Sequence, residues 1–167
     1  STKNVIYFAS PAKFIIKNKK KFKVFTEKEG YKINGLEGQL INFVRADSKG
    51  RIWIGSATPF VDKNNNGGLT KFENGKFTVY DSKNFPLDNA TNFIETPYGD
   101  LIFNSAGRNT QTREGSYVAL FKNGVFKRID GTAGITLQNA SVYPEENVTA
   151  IDKDGNTWLP CSGVISG

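Results

Sequence analysis

One unit of about fifty residues recurs along this chain of 167, and a chain built on such a repeat has few architectures open to it. Three registers carry the repeat. The first is a turn followed by an apolar run: Asp47-Ser48-Lys49-Gly50-Arg51-Ile52-Trp53-Ile54-Gly55-Ser56, then Pro97-Tyr98-Gly99-Asp100-Leu101-Ile102-Phe103-Asn104-Ser105, then Asp152-Lys153-Asp154-Gly155-Asn156-Thr157-Trp158. Asn4-Val5-Ile6-Tyr7-Phe8-Ala9-Ser10 reads as a fourth copy without its turn. The second register is a hairpin, Lys71-Phe72-Glu73-Asn74-Gly75-Lys76-Phe77, which recurs as Leu120-Phe121-Lys122-Asn123-Gly124-Val125-Phe126 and earlier as Ile16 to Lys19 leading into Phe22 to Phe25. The third precedes each turn: Asn42-Phe43-Val44, Asn92-Phe93-Ile94 and Asn147-Val148-Thr149. The spacings agree: 99 − 50 = 49 between Gly50 and Gly99, 155 − 99 = 56 to Gly155, 77 − 22 = 55 between Phe22 and Phe77, and 126 − 77 = 49 to Phe126.

Asn-Gly between two alternating runs is the strongest short hairpin signal, because both turn residues must reach φ > 0. Four short strands per unit, separated by turn residues and without a long helical period, predict an all-β chain of β-propeller blades. With strands named A to D within each unit, the second blade (39–88) runs through Leu40 to Ala46, Arg51 to Ala57, Gly68 to Glu73 and Lys76 to Asp81. The third (89–144) runs through Asn92 to Thr96, Asp100 to Ser105, Tyr117 to Lys122 and Val125 to Asp130. The first (1–38) holds strands B to D and the last (145–167) strands A and B, giving about three and a half four-stranded blades. An unclosed arc leaves strand edges open as templates for pairing, so the expected partner is either the remainder of the propeller or a second copy in a homodimer.

Asn42, Asp47, Gly50, Ile52-Trp53-Ile54-Gly55, Gly68-Leu69, Phe72, Gly75, Phe77 and Tyr80 together resemble the two-component regulator propeller repeat of bacteria. The third unit departs from that pattern: Pro97 stands for the Asp, Phe103 for the Trp, and Asn104-Ser105 for Gly-Thr. The resemblance covers nearly the whole chain, but through scaffold positions, which identify a repeat better than an activity. It implies propellers of about seven blades, within the four to eight of closed forms. It also implies an extracytoplasmic setting, periplasmic or secreted, in the sensing part of hybrid histidine kinases that are often glycan-responsive.

Composition removes several mechanisms. The chain has no histidine, one cysteine and no methionine, with 22 Lys+Arg against 16 Asp+Glu for a net charge of +6. Ser-His-Asp and Cys-His catalysis are therefore absent from this stretch, as are the usual zinc sites. Cys161 has no internal disulfide partner. A content of 38% apolar and 13% aromatic residues is enough for a core. No apolar run approaches the roughly 20 residues of a membrane span.

Four features carry candidate chemistry. Asp62, Asn64, Asn66 and Glu73, around Gly67, satisfy the calcium-loop spacing in which alternate oxygen ligands surround a glycine turn and a carboxylate closes the site. The same residues also read as a polar B–C connection, since Gly68 to Glu73 should be strand C. No other cofactor motif is present. Lys17, Lys19, Lys20, Lys21 and Lys23 cluster at the first C–D hairpin, where lysines discourage edge-to-edge pairing. No interleaved aromatic platform accompanies them, so no nucleic-acid partner or membrane contact is expected. Trp53, Phe103 and Trp158, read as equivalent strand-B positions, suit either packing between blades or sugar stacking. Ligand candidates are the less repeat-bound residues: Arg45 and Glu95, aligned with Ala150 in strand A, and Tyr98, Arg108, Asn109 and Arg113 in connections.

These features lead to a non-enzymatic binding propeller for an oligosaccharide, a small molecule or a protein. The rival readings are a secreted carbohydrate-active lyase or hydrolase and a purely structural interaction domain. Paired carboxylates such as Glu145-Glu146 and Asp152 with Asp154 carry no mark of a perturbed acid–base pair, and no catalytic residue is assigned. Three sequons, at Asn89, Asn139 and Asn147, matter only in a eukaryotic secretory setting.

Overall fold

A computed structural model describes residues 5–32, 40–57, 68–80, 84–85, 90–105, 118–129, 141–142, 150–152, 154, 156–158 and 161–162. The described residues are all-β with antiparallel pairing throughout and contain no α-helix. Sheet one holds β1 (Val5–Ala9), β2 (Phe14–Asn18) and β3 (Lys21–Phe25) in that order. Sheet two holds β4 (Leu40–Ala46), β5 (Ile52–Ala57), β6 (Leu69–Glu73) and β7 (Lys76–Tyr80). Sheet three holds β8 (Ala90–Glu95), β9 (Leu101–Ser105), β10 (Val118–Lys122) and β11 (Val125–Arg128). Each is an up-and-down meander, and none closes on itself. The pairs β12 (Ser141–Val142) with β15 (Cys161–Ser162) and β13 (Ala150–Ile151) with β14 (Thr157–Trp158) complete the described strands.

The hairpins form where the sequence places them. Asn74 and Gly75 take φ of 51° and 80°, and Asn123 and Gly124 take 52° and 82°, the double left-handed backbone that matches the twist of the flanking strands. Lys19 occupies the corresponding first turn position at φ 54°, which glycine or asparagine holds with less strain.

Register fixes how the second and third units correspond. Asp47 N donates to Arg51 O and Gly50 N to Asp47 O, and Thr96 N to Asp100 O and Gly99 N to Thr96 O repeat that turn. Each first strand also carries a bulge at the same point, with Asn42 extra between Ile41 and Phe43 and Thr91 extra between Ala90 and Asn92. Arg45, Trp53 and Lys71 lie in one cross-strand row, and Ile94, Ile102 and Leu120 in the matching row.

Three sequence expectations are therefore one residue out. Thr96, not Pro97, replaces the Asp; Ile102, not Phe103, matches Trp53; and Arg45 matches Ile94, while Glu95 matches Ala46. Asn92-Phe93-Ile94 imitates Asn42-Phe43-Val44 in letters, but the turn hydrogen bonds and the bulge outrank the letters.

The sheets stack through alternating side chains. Phe14, Phe25 and Tyr31 meet Ile52, Ile54 and Phe72 between sheets one and two. Trp53, Leu69 and Tyr80 meet Phe93, Leu101, Phe103 and Phe121 between sheets two and three. Trp53 is fully buried, its ring centroid 5.2 Å from that of Phe103 and 5.1 Å from that of Phe121, both edge-on. Edge-to-face contacts of this kind contribute about 0.5–1.5 kcal/mol per pair beyond area burial. Trp53 and Phe103 are thus inter-sheet packing residues from opposite sides of one interface, whereas Trp158 is 64% exposed. No helix among the described residues is long and apolar enough to cross a membrane.

Candidate functional site

Stacking brings the turn between β4 and β5 against the turn between β8 and β9. The first is built around Asp47, whose side chain is buried. Its Oδ1 accepts from Lys49 N at 3.0 Å and Arg51 N at 2.9 Å, and its Oδ2 accepts from Arg51 Nε and from Trp53 Nε1 at 2.8 Å. The Arg51 guanidinium lies 5.5 Å from the Trp53 ring centroid and 5.3 Å from that of Phe121, so the turn is pinned to the core of the next sheet. Asp152 repeats the device: Oδ1 accepts from Asp154 N and Asn156 N, and Oδ2 accepts from Asn156 Nδ2 and Trp158 Nε1. Those bonds, the Asn156 amide first, hold the Asp152 carboxyl below its ordinary pKa.

Ser48 then reaches across to Glu95, donating N–H to Oε2 at 2.8 Å and Oγ–H to Oε1 at 2.5 Å. Lys49 lies over Gly99, since a Cβ added there would come 3.5 Å from Lys49 Cε and 3.6 Å from Nζ. Tyr98, at the tip of the second turn, is 71% exposed. Ser48, Lys49, Glu95 and Tyr98 therefore share one rim that carries a cation, a carboxylate and an open aromatic face.

Arg45 lies beside that rim on a different task. Its Nη1 donates to Phe93 O at 2.7 Å and Asn92 Oδ1 at 3.4 Å, and its guanidinium stacks 4.9 Å from the Phe93 ring centroid. Burial lowers the Arg45 pKa, with Glu95 opposing. Arg45 and Glu95, both ligand candidates from sequence, thus join consecutive sheets. Asn42 adds a third tie, its Nδ2 donating to Ala90 O at 2.8 Å from the bulge.

Tyr98 stands open among the described ligand candidates; Arg108, Asn109 and Arg113 lie outside the described residues. The calcium spacing divides the same way. Asp62, Asn64 and Asn66 lie outside the described residues, while Glu73 ends β6, the expected strand C, and its carboxylate pairs with Lys71 Nζ at 2.8 Å. Among the described residues no group of three or more His, Cys, Asp or Glu side chains is placed to hold a metal ion. Ser48, Lys49 and Asn92 escaped the sequence reading because each acts across the sheet interface, where one strand's letters do not name the partner.

No protein-family model, no curated protein and no solved structure matches the chain.

Proposed function

We propose that the stacked sheets are blades of a β-propeller arc of the two-component regulator kind. The arc serves as a non-enzymatic, extracytoplasmic binding segment of a bacterial sensor. Its ligand is an oligosaccharide, taken at the rim of the A–B turns. The observation that carries this reading is the Ser48–Glu95 clasp, which sets Lys49 and the open Tyr98 ring on one surface made by two repeats. An exposed aromatic face suits the apolar side of a pyranose, and a neighbouring cation and carboxylate suit its hydroxyls. The repeated Asp47 and Asp152 turns, with the face-to-face order of sheets one to three, support the propeller.

A glycan array probed with the intact protein tests the reading. Binding to a defined oligosaccharide class is expected, lost in Tyr98→Ala and reduced in Lys49→Ala and Arg113→Ala. Absence of any retained glycan, or full binding by Tyr98→Ala, overturns it.

A further inference from the structure

Sheet one leaves an apolar face open, and the repeat shows what covers such a face. The β2–β3 hairpin superposes in register on β6–β7, Asn18↔Lys21 matching Glu73↔Lys76, and Ala9↔Phe14 matches Gly55↔Leu69. Ile6, Phe8 and Phe22 then correspond to Ile52, Ile54 and Phe77 of sheet two, and to Leu101, Phe103 and Phe126 of sheet three. In sheets two and three these positions pack against the preceding sheet: Ile52 and Ile54 are 2% and 1% exposed, and Leu101 and Phe103 are both 0%. In sheet one Ile6, Phe8 and Phe22 are 45%, 50% and 64% exposed, with Val24 at 46% beside them. No described residue covers them. Among the described residues no strand pairs with the β1 edge on the side where β5 holds β4 and β9 holds β8.

The complementary surface is also present. The face that covers Ile52 and Ile54 is the opposite face of a sheet, the one that carries Trp53 in sheet two. Trp158 occupies the Trp53 position of the last repeat, makes the same bond to its turn aspartate, and stands 64% exposed. We infer that a second copy of this chain docks head to tail, its Trp158 face seated on Ile6, Phe8 and Phe22, in continuation of the stacking already made between sheets one, two and three. The two surfaces differ, so the contact is heterologous, and a pair of copies closes by making it twice. Burial of these side chains removes apolar area that monomers rarely leave contiguous and exposed. The inference needs only the sheet stacking and is independent of the ligand reading.

Sedimentation velocity on the 167-residue chain tests it. A concentration-dependent dimer is expected, weakened at least about tenfold by Phe22→Glu and by Trp158→Glu, because each buries an unpaired carboxylate. Phe8→Glu serves as a second variant on the same face, and unchanged circular dichroism shows that each variant folds. Mixing Phe22→Glu with Trp158→Glu restores one intact contact and part of the dimer. Three results overturn the inference: a wild-type monomer at every concentration, a dimer insensitive to all three changes, or one lost with Phe22→Glu but kept in Trp158→Glu, which marks face-to-face pairing of sheet one instead.

Discussion

Trp53 donates its indole N–H to Asp47 Oδ2 at 2.8 Å, tying a solvent-facing turn to the largest fully buried side chain between sheets two and three. The bond explains why an acidic residue sits at the start of the repeat's most apolar strand. Asp47 accepts from the indole, two turn amides and Arg51 Nε together, and the Arg51 guanidinium in turn lies against Trp53 and Phe121.

Asp47→Ala is therefore expected to destabilise the protein by about 3–5 kcal/mol, since it leaves a buried guanidinium without its counter-charge. Urea unfolding followed by far-ultraviolet circular dichroism measures this as a fall in midpoint at constant slope. A change below about 1 kcal/mol would show that the turn is not pinned through Asp47.

Gly55 lies where β5 passes close to the backbone of β8. A Cβ there would meet Phe43 Cδ1 at 2.5 Å and the Ala90 carbonyl oxygen at 2.7 Å. The ring can rotate aside, but the backbone of β8 cannot move without opening the interface. Gly55→Ala is expected to lower stability by about 1–3 kcal/mol, as overpacked cores do. Thermal unfolding of this single variant gives the answer, and an unchanged midpoint would mean that the two sheets slide freely.

Much of the fold was legible because turn residues and alternation are local. Asn74-Gly75 and Asn123-Gly124 fix their hairpins by backbone conformation, and Phe72 and Phe77 alternate with polar neighbours on the strands that the first of those turns joins. Inter-sheet correspondence was less legible. A one-residue slip makes Asn92-Phe93-Ile94 look like Asn42-Phe43-Val44, and it is the turn hydrogen bonds and the bulges at Asn42 and Thr91 that reveal the true offset. The candidate site was half legible. Glu95 and Tyr98 drew attention as charged or aromatic residues outside the repeat pattern. Ser48 did not, because its meaning lies in a carboxylate 47 residues away.

The Lys19 turn offers a stabilising change. Lysine at φ 54° carries the left-handed strain that Asn74 and Asn123 bear more easily at the matching hairpins. Lys19→Asn is expected to raise stability by about 0.5–1 kcal/mol, while Gly75→Ala at φ 80° lowers it by about 1–2 kcal/mol. Nothing lies within 4 Å of a Cβ at Gly75, so any loss there comes from the backbone alone. Parallel denaturant titrations of the two variants separate these effects. Equal and opposite signs to those given would show that hairpin strain does not limit stability.

Asp152 makes the last repeat pH-sensitive in a defined direction. Its carboxyl is held below the ordinary 3.8, chiefly by the Asn156 side chain and with help from Trp158 Nε1. A carboxyl lowered on folding stabilises the folded turn fully above its unfolded value, and the contribution is lost as pH falls through the folded one. The Trp158 indole N–H resonance is therefore expected to stay constant from neutral pH down to about 4, then shift with a midpoint below 3.8. Asp152→Asn is expected to abolish that titration while leaving the Trp53 indole resonance, buried against Asp47, in place. A midpoint above 3.8 in the wild-type protein, or a titration that survives Asp152→Asn, would assign the shift to another carboxylate and break the equivalence of the Asp152 and Asp47 turns.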